Sequence, residues 1–147
     1  MSNAAVLQRH LHASLQLLAA ESPQHWTRLR AQLADSRVHV RIGADAPFEL
    51  NVTGSKPSLR AASGNCDIEL ALSEDAVSAF LHGSLTLEPA LRSGALQLRG
   101  SLTHITRLLG AFDAWLHGLL RAPSSAELYR ELCQAWPPTQ SISRDNP

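Results

Sequence analysis

The chain has 147 residues, 13 Lys+Arg against 13 Asp+Glu, and a pI near 7.1. That length is one domain by expectation, large enough to bury a core without staples. A net charge of zero gives no electrostatic footprint for DNA, RNA or an anionic membrane. Lys56 is the only lysine, so arginine supplies the other positive charges. The two cysteines, Cys66 and Cys133, are far apart and form no CxxC pair. Both read as free thiols in a reducing cytoplasm. No apolar run reaches the length of a membrane span, and the polar and histidine residues near the N-terminus are unlike a signal peptide. Asn51-Val52-Thr53 matches a glycosylation sequon but falls inside a strand pattern, which makes the match accidental.

From Ala5 to Ala20, leucines 7, 11, 15 and 18 recur at helical spacing. Ser22-Pro23 opens a second helix with Trp26, Leu29 and Leu33 on one face. The period then drops to two. Val38, Val40 and Ile42 alternate with Arg37, His39 and Arg41; Phe48, Leu50 and Val52 alternate with Glu49, Asn51 and Thr53. Leu59 and Ala61 mark a weaker strand, and Ile68, Leu70 and Leu72 alternate with Asp67, Glu69 and Ala71. Glycine-containing turns at 43–47, 54–57 and 63–65 separate these runs. The pattern predicts an antiparallel meander with one dry and one wet face. On the wet face, Arg37 and Arg41 are expected to neutralise Glu49, Asp67 and Glu69.

Ser73 caps the next helix, with Glu74 and Asp75 in its first turn and Val77, Phe80 and Leu81 as its buried face. Gly83 suits the position past its end, and Gly94 the left-handed stop of a short helix from Leu87 to Leu91. Leu96 and Leu98 form a last strand. After Gly100-Ser101, the residues Ile105, Leu108, Leu109, Phe112, Trp115, Leu116, Leu119 and Leu120 keep spacings of three and four. This wide apolar stripe predicts a long helix facing the sheet. Pro123 ends it, and Ser124 with Glu127 reads as a capping box for a terminal helix carrying Leu128, Leu132 and Trp136. Pro137-Pro138 stops that helix, and residues 137–147 read as a disordered tail.

No motif with a catalytic mechanism is present: no nucleophile elbow, HExxH, phosphate loop or dinucleotide fingerprint. The seven histidines do not converge on one helix or strand face, so no metal or other cofactor is expected. His82 lies at a helix end, and His104 and His117 lie off the stripe of the long helix. Glu49 and Glu69 alternate with apolar residues and are expected to face water rather than form an acid/base pair. Cys66 lacks a partner in sequence that would lower its pKa and reads as a structural thiol.

Certain short words carry a family resemblance. They are Leu70-Ala71-Leu72-Ser73-Glu74-Asp75, Phe80-Leu81-His82-Gly83, Pro89-Ala90-Leu91, and Ser93-Gly94-Ala95-Leu96-Gln97-Leu98-Arg99-Gly100. In this order, with the sheet pattern before them and the long helix after, the chain resembles the sterol carrier protein type 2 family. The resemblance covers Val38 to Leu120. It departs from the family pattern at Ala95, where many members have a lysine or arginine, and at Ser101, where many have aspartate or asparagine. The final residues, Asp145-Asn146-Pro147, are not a peroxisomal signal, which points to a bacterial cytoplasmic member.

The resemblance implies an α+β domain over residues 1–136. Its sheet would have five mainly antiparallel strands, with helices over one face and a hydrophobic tunnel between them. It further implies a sterol, fatty acyl chain or other lipid as partner, a possible partner enzyme, and at most transient membrane contact. The expected tunnel walls are Phe48, Leu50, Val52, Ile68, Leu70, Phe80, Leu98, Leu108, Leu109, Phe112 and Trp115. A carrier without covalent chemistry is the reading adopted. The alternatives are an enzyme or accessory factor that folds or cyclises an apolar substrate in the same cavity, and an interaction module with a solid core.

Overall fold

A computed structural model describes residues 2–54 and 56–136. Residues 137–147, expected as a tail, lie outside the described residues. Two helices come first, α1 (Asn3–Glu21) and α2 (Pro23–Leu33). The Ser2 hydroxyl accepts from the Ala5 N–H at the start of α1, and Pro23 sits in the first turn of α2, where its missing N–H costs nothing. The Ser22 hydroxyl does not cap α2 but bonds the His25 ring at 2.7 Å. Four strands follow: β1 (Val38–Ile42), β2 (Phe48–Asn51), β3 (Ser58–Ala61) and β4 (Ile68–Leu72). Then come α3 (Glu74–Leu81), α4 (Leu87–Ser93), β5 (Leu96–Gly100), α5 (Leu102–Arg121) and α6 (Ser125–Ala135).

The five strands make one mixed sheet in the order β3-β2-β1-β4-β5. Three pairings are antiparallel, but β1 and β4 run parallel, Val38 opposite Ile68 and Ile42 opposite Leu72. The simple meander is therefore corrected: β3 does not pair with β4. The chain from 62 to 67 crosses β2 and β1 to start β4 on the far side, where the Asp67 and Ile68 N–H groups both donate to the Arg37 carbonyl. Strand periodicity is blind to this crossing, because both topologies present the same dry face.

That dry face is laid out in ranks. Leu59, Leu50, Val38, Ile68 and Gly100 form one, and Ala61, Phe48, Val40, Leu70 and Leu98 the next. Gly100 is required: at φ +153° an added Cβ would stand 2.6 Å from the Asp67 carbonyl oxygen, a backbone atom that cannot step aside. Leu15 and Leu18 of α1, Leu29 and Leu33 of α2, and Val77 of α3 join the central strands in the core.

Helix ends follow the sequence in part. The Ser73 hydroxyl accepts from the Ala76 N–H, and Gly94 ends α4 at φ +80°. The capping box at α6 does not form. Ser124 is itself helical, makes no side-chain cap, and instead gives its N–H to Glu21 Oε1. α6 is held to the end of α3 by Tyr129, whose hydroxyl donates to the Leu81 carbonyl, and by His82 Nε2, 3.2 Å from the Trp136 carbonyl.

Candidate ligand-binding site

The expected tunnel residues fall into three groups by burial. Phe48, Val52 and Ile68 are buried in the core, their apolar surface already covered by protein. Leu50, Leu70, Leu108 and Trp115 are partly buried and pack against that core. Phe80 and Leu98 are half-buried, while Leu109 and Phe112 are 38% and 43% exposed. In the rank Phe48, Val40, Leu70, Leu98, exposure rises toward β5. Val52 stands just past β2 rather than within it. The apolar face is sealed at its β1–β2 centre and again at Leu96 of β5, and is less covered around Leu98 and the exposed Leu109 and Phe112 of α5.

The seating of α5 explains the less covered side. α5 packs on α2 and α1 and touches the sheet at β5. Its buried residues are small: Ala111, Ala114 and Gly118. A Cβ on Gly118 would lie 2.2 Å from Leu18 Cδ1 and 2.8 Å from His25 Cβ, so the close approach to α1 and α2 depends on that glycine. Trp115 Nε1 donates to Ser14 Oγ at 3.0 Å, tying α5 to α1, and its ring is 5.7 Å from that of Phe112. Part of the apolar stripe is turned away from this seam, while Leu108 and Trp115 pack against the core. Leu102, Leu109, Phe112, Leu116 and Leu120 are all exposed, which corrects the expectation that Leu109 points squarely at the sheet. Leu102, Leu116 and Leu120 are not among the expected site residues. The signal that places them outside is the second face of the same helix, glycine and alanine at 110, 111, 114 and 118.

The other sheet face also departs from expectation. Glu49 is only 1% exposed rather than solvated. Arg60 of β3, not Arg37 or Arg41, holds it, with guanidinium contacts of 2.8 and 2.9 Å to Oε2, and His39 Nε2 sits 3.2 Å from Oε1. Across the sheet, Arg60, Glu49, His39, Glu69 and Arg99 stand in one rank, with His39 between the two carboxylates and an arginine at each end. The hydrogen bond from Arg60 holds the Glu49 carboxyl below its ordinary pKa against the opposing effect of burial. The crossing segment 62–67 passes over this side. Gly64 lies beside the Arg37 guanidinium, and the Cys66 thiol is pushed up by burial and by the negative charges of Glu69, Asp67 and Glu49. Arg41 meets Glu69 at 3.5 Å as expected, while Asp67 accepts instead from the Arg37 backbone N–H.

A polar cavity of about 210 Å³ lies between the end of α2 and β2–β3, lined by residues including Ser36, Arg37, Glu49, Asn51 and Arg60. Of the expected tunnel walls only Leu50 borders it. Each histidine has a local partner: Val6 for His10, Pro57 for His12, Ser22 for His25, Glu49 for His39, Trp136 for His82, Ser101 for His104 and Asp113 for His117. Among the described residues no three His, Cys, Asp or Glu side chains gather in a metal-binding group. Among them, too, no helix is long and apolar enough to cross a membrane.

No family model and no curated protein matches the chain. Solved structures do. The chain is similar to a structure described as a UbiJ-SCP2 ubiquinone synthesis protein, with a TM-score of 0.56 and 16% identity, covering 80% of this chain and 97% of that one. A protein of Thermus thermophilus described as possibly a sterol carrier protein aligns with a TM-score of 0.51 and 15% identity, covering 84% of this chain and 86% of that one. The sterol carrier protein domain 2 of Helicoverpa armigera gives 0.50 and 12%, over 69% of this chain and 78% of that one.

Proposed function

We propose that this chain, whose fold is that of sterol carrier protein type 2 domains, binds one long apolar molecule between α5 and the β4–β5 side of the sheet. It carries or presents that molecule to an enzyme or a membrane. The observation that supports this most is the uneven burial of the dry face. Leu70 and Leu98, paired across β4 and β5, stay half-buried, as does Phe80 on α3, and Leu109 and Phe112 on α5 stay exposed. Apolar surface left uncovered beside a core is the binding resource of a lipid site. Each methylene removed from water contributes about 0.8 kcal/mol, so a chain of a dozen gives roughly 10 kcal/mol before the cost of immobilising it. Little polar recognition is then needed, consistent with the uncharged lining.

The names of the similar structures support the same ligand chemistry, and one of them, a ubiquinone synthesis protein, adds prenylated quinones to sterols and fatty acyl chains as candidates. Both cysteines are free thiols, in keeping with work in a reducing cytoplasm. The test is titration of the delipidated protein with a fluorescent fatty acid, followed by competition with unlabelled fatty acid, sterol and prenylated quinone. The expected result is saturable binding at one ligand per chain, weakened in Leu98→Arg with the fold intact by circular dichroism. Absence of saturable binding for every class would refute the carrier reading.

A further inference from the structure

The polar cavity at the end of α2 is lined by three consecutive residues, Asp35, Ser36 and Arg37, that lead the chain from α2 into β1. Asp35 and Arg37 are exposed, and among the described residues neither side chain makes an ion pair or a hydrogen bond. The Asp67 carboxylate accepts from the Arg37 backbone N–H, at 2.8 Å, rather than from its guanidinium. Ser36, between the two charges, is only 7% exposed. Its hydroxyl is covered and has no hydrogen-bond partner among the described residues. A hydroxyl taken from water without a partner in exchange is uncommon in a folded protein. On the strand side, Glu49 and Arg60 also line the cavity, and they satisfy each other at 2.8 Å. Two acids and two arginines sum to zero, and the charges left unmatched are those of Asp35 and Arg37.

We infer that this cavity binds a small free amino acid, its carboxylate held by Arg37 and the Ser36 hydroxyl and its ammonium by Asp35. A guanidinium fork matches a carboxylate, and a serine hydroxyl donates to one. A lone anion would meet repulsion from Asp35 and from the C-terminal end of α2, the negative end of its dipole. A lone cation would meet repulsion from Arg37 and from Arg60, whose side chain is 57% exposed. A zwitterion meets both poles with no net charge. The volume of about 210 Å³ suits a group of several heavy atoms, since a water takes roughly 30 Å³ of the liquid. This favours glycine, alanine, serine and threonine over larger side chains. The cavity shares only Leu50 with the expected tunnel walls, so this site stands or falls separately from lipid binding.

The experiment is calorimetric titration of the full chain with each of those four amino acids, and with the methyl ester and the N-acetyl form of any that binds. Saturable binding at one per chain is expected for at least one of the four. Removing either charge, as ester or as amide, should weaken it tenfold or more. Arg37→Gln should do the same, and its fold is not at stake because the guanidinium holds no partner in the protein. Ser36→Ala should also weaken binding, while the melting temperature of the ligand-free protein stays level or rises, since no bond within the protein is lost. No saturable binding by any of the four would overturn the inference. So would equal binding of the ester or the N-acetyl form, or binding indifferent to Arg37→Gln. A fall in ligand-free melting temperature in Ser36→Ala would give the hydroxyl a structural role and remove it from the site. Fatty acid titration of Arg37→Gln keeps the two sites apart: a parallel loss of fatty acid binding would place Arg37 in the lipid site and refute a separate one.

Discussion

Two glycines on α5 should respond to the same substitution with opposite sign. Glycine costs a helix interior about 1 kcal/mol relative to alanine, so each Gly→Ala change begins with that gain. At Gly110 the atoms nearest the new Cβ are those of the Gln32 side-chain amide, at 3.2 Å. Gln32 is exposed and flexible and can move by a few tenths of an ångström. Gly110→Ala should therefore stabilise by about 0.5–1 kcal/mol. At Gly118 the Cβ would stand 2.2 Å from Leu18 Cδ1 and 2.8 Å from His25 Cβ. Leu18 is fully buried and His25 nearly so, and a Cβ moves only with its backbone. Two hard contacts in a closed seam place the cost at or above the upper end of the ~1–3 kcal/mol range for overpacking. The net effect of Gly118→Ala is a loss of about 2 kcal/mol. For a domain of this size each kcal/mol moves Tm by roughly 2–4 °C. Thermal denaturation should therefore separate the variants by several degrees in opposite directions. Equal stabilisation by both would refute the seating of α5 on its small-residue face, and with it the outward direction of part of the leucine stripe.

The buried Glu49 predicts a response to acid. Its folded pKa lies below the ordinary value of 4.5, so the folded state binds that proton less well than the unfolded chain. The stability it contributes is complete above about pH 4.5 and is lost as pH falls through the lowered value. The Arg60 side chain is 57% exposed, so solvent screens the pair and keeps the contribution small. Glu49→Gln should flatten the fall in denaturant stability below that pH, and an unchanged slope would show that other carboxylates govern acid unfolding. Leu109→Trp adds bulk at the open edge of α5, and should change stability by no more than about 0.5 kcal/mol while weakening fatty acid binding. A strongly destabilised variant would place Leu109 in a packed interior instead.

Much of the fold is legible in local chemistry. The alternation at 38–42, 48–52 and 68–72 marks the dry face, and the Ser73 cap and Gly94 stop bound their helices as read. Three features are not legible, each for a reason beyond local pattern. The parallel pairing of β1 with β4 depends on where residues 62–67 cross, which alternation does not encode. The burial of Glu49 goes with its pairing to Arg60 across a strand pair, so a charged residue at a wet-face position ends up covered. The third is α5. A wide apolar stripe reads as the buried side, but close helix packing selects small residues. Gly110, Ala111, Ala114 and Gly118 form the competing face, and their spacing of one, three and four is present in the sequence. The expected ligand walls split accordingly, with Phe48, Val52 and Ile68 buried as core and Leu98, Leu109 and Phe112 left partly open.

The proposal that apolar ligand lies beside α5 is tested most directly at Trp115, which packs 5.7 Å from Phe112. In a Trp26→Phe/Trp136→Phe background it is the only tryptophan. Titration with a fatty acid brominated along its chain should quench its fluorescence saturably at one equivalent per chain, and an unlabelled fatty acid should reverse the quenching. Saturable binding by an independent assay with no quenching of Trp115 would put the ligand elsewhere in the molecule. No binding by either assay would contradict the carrier function itself.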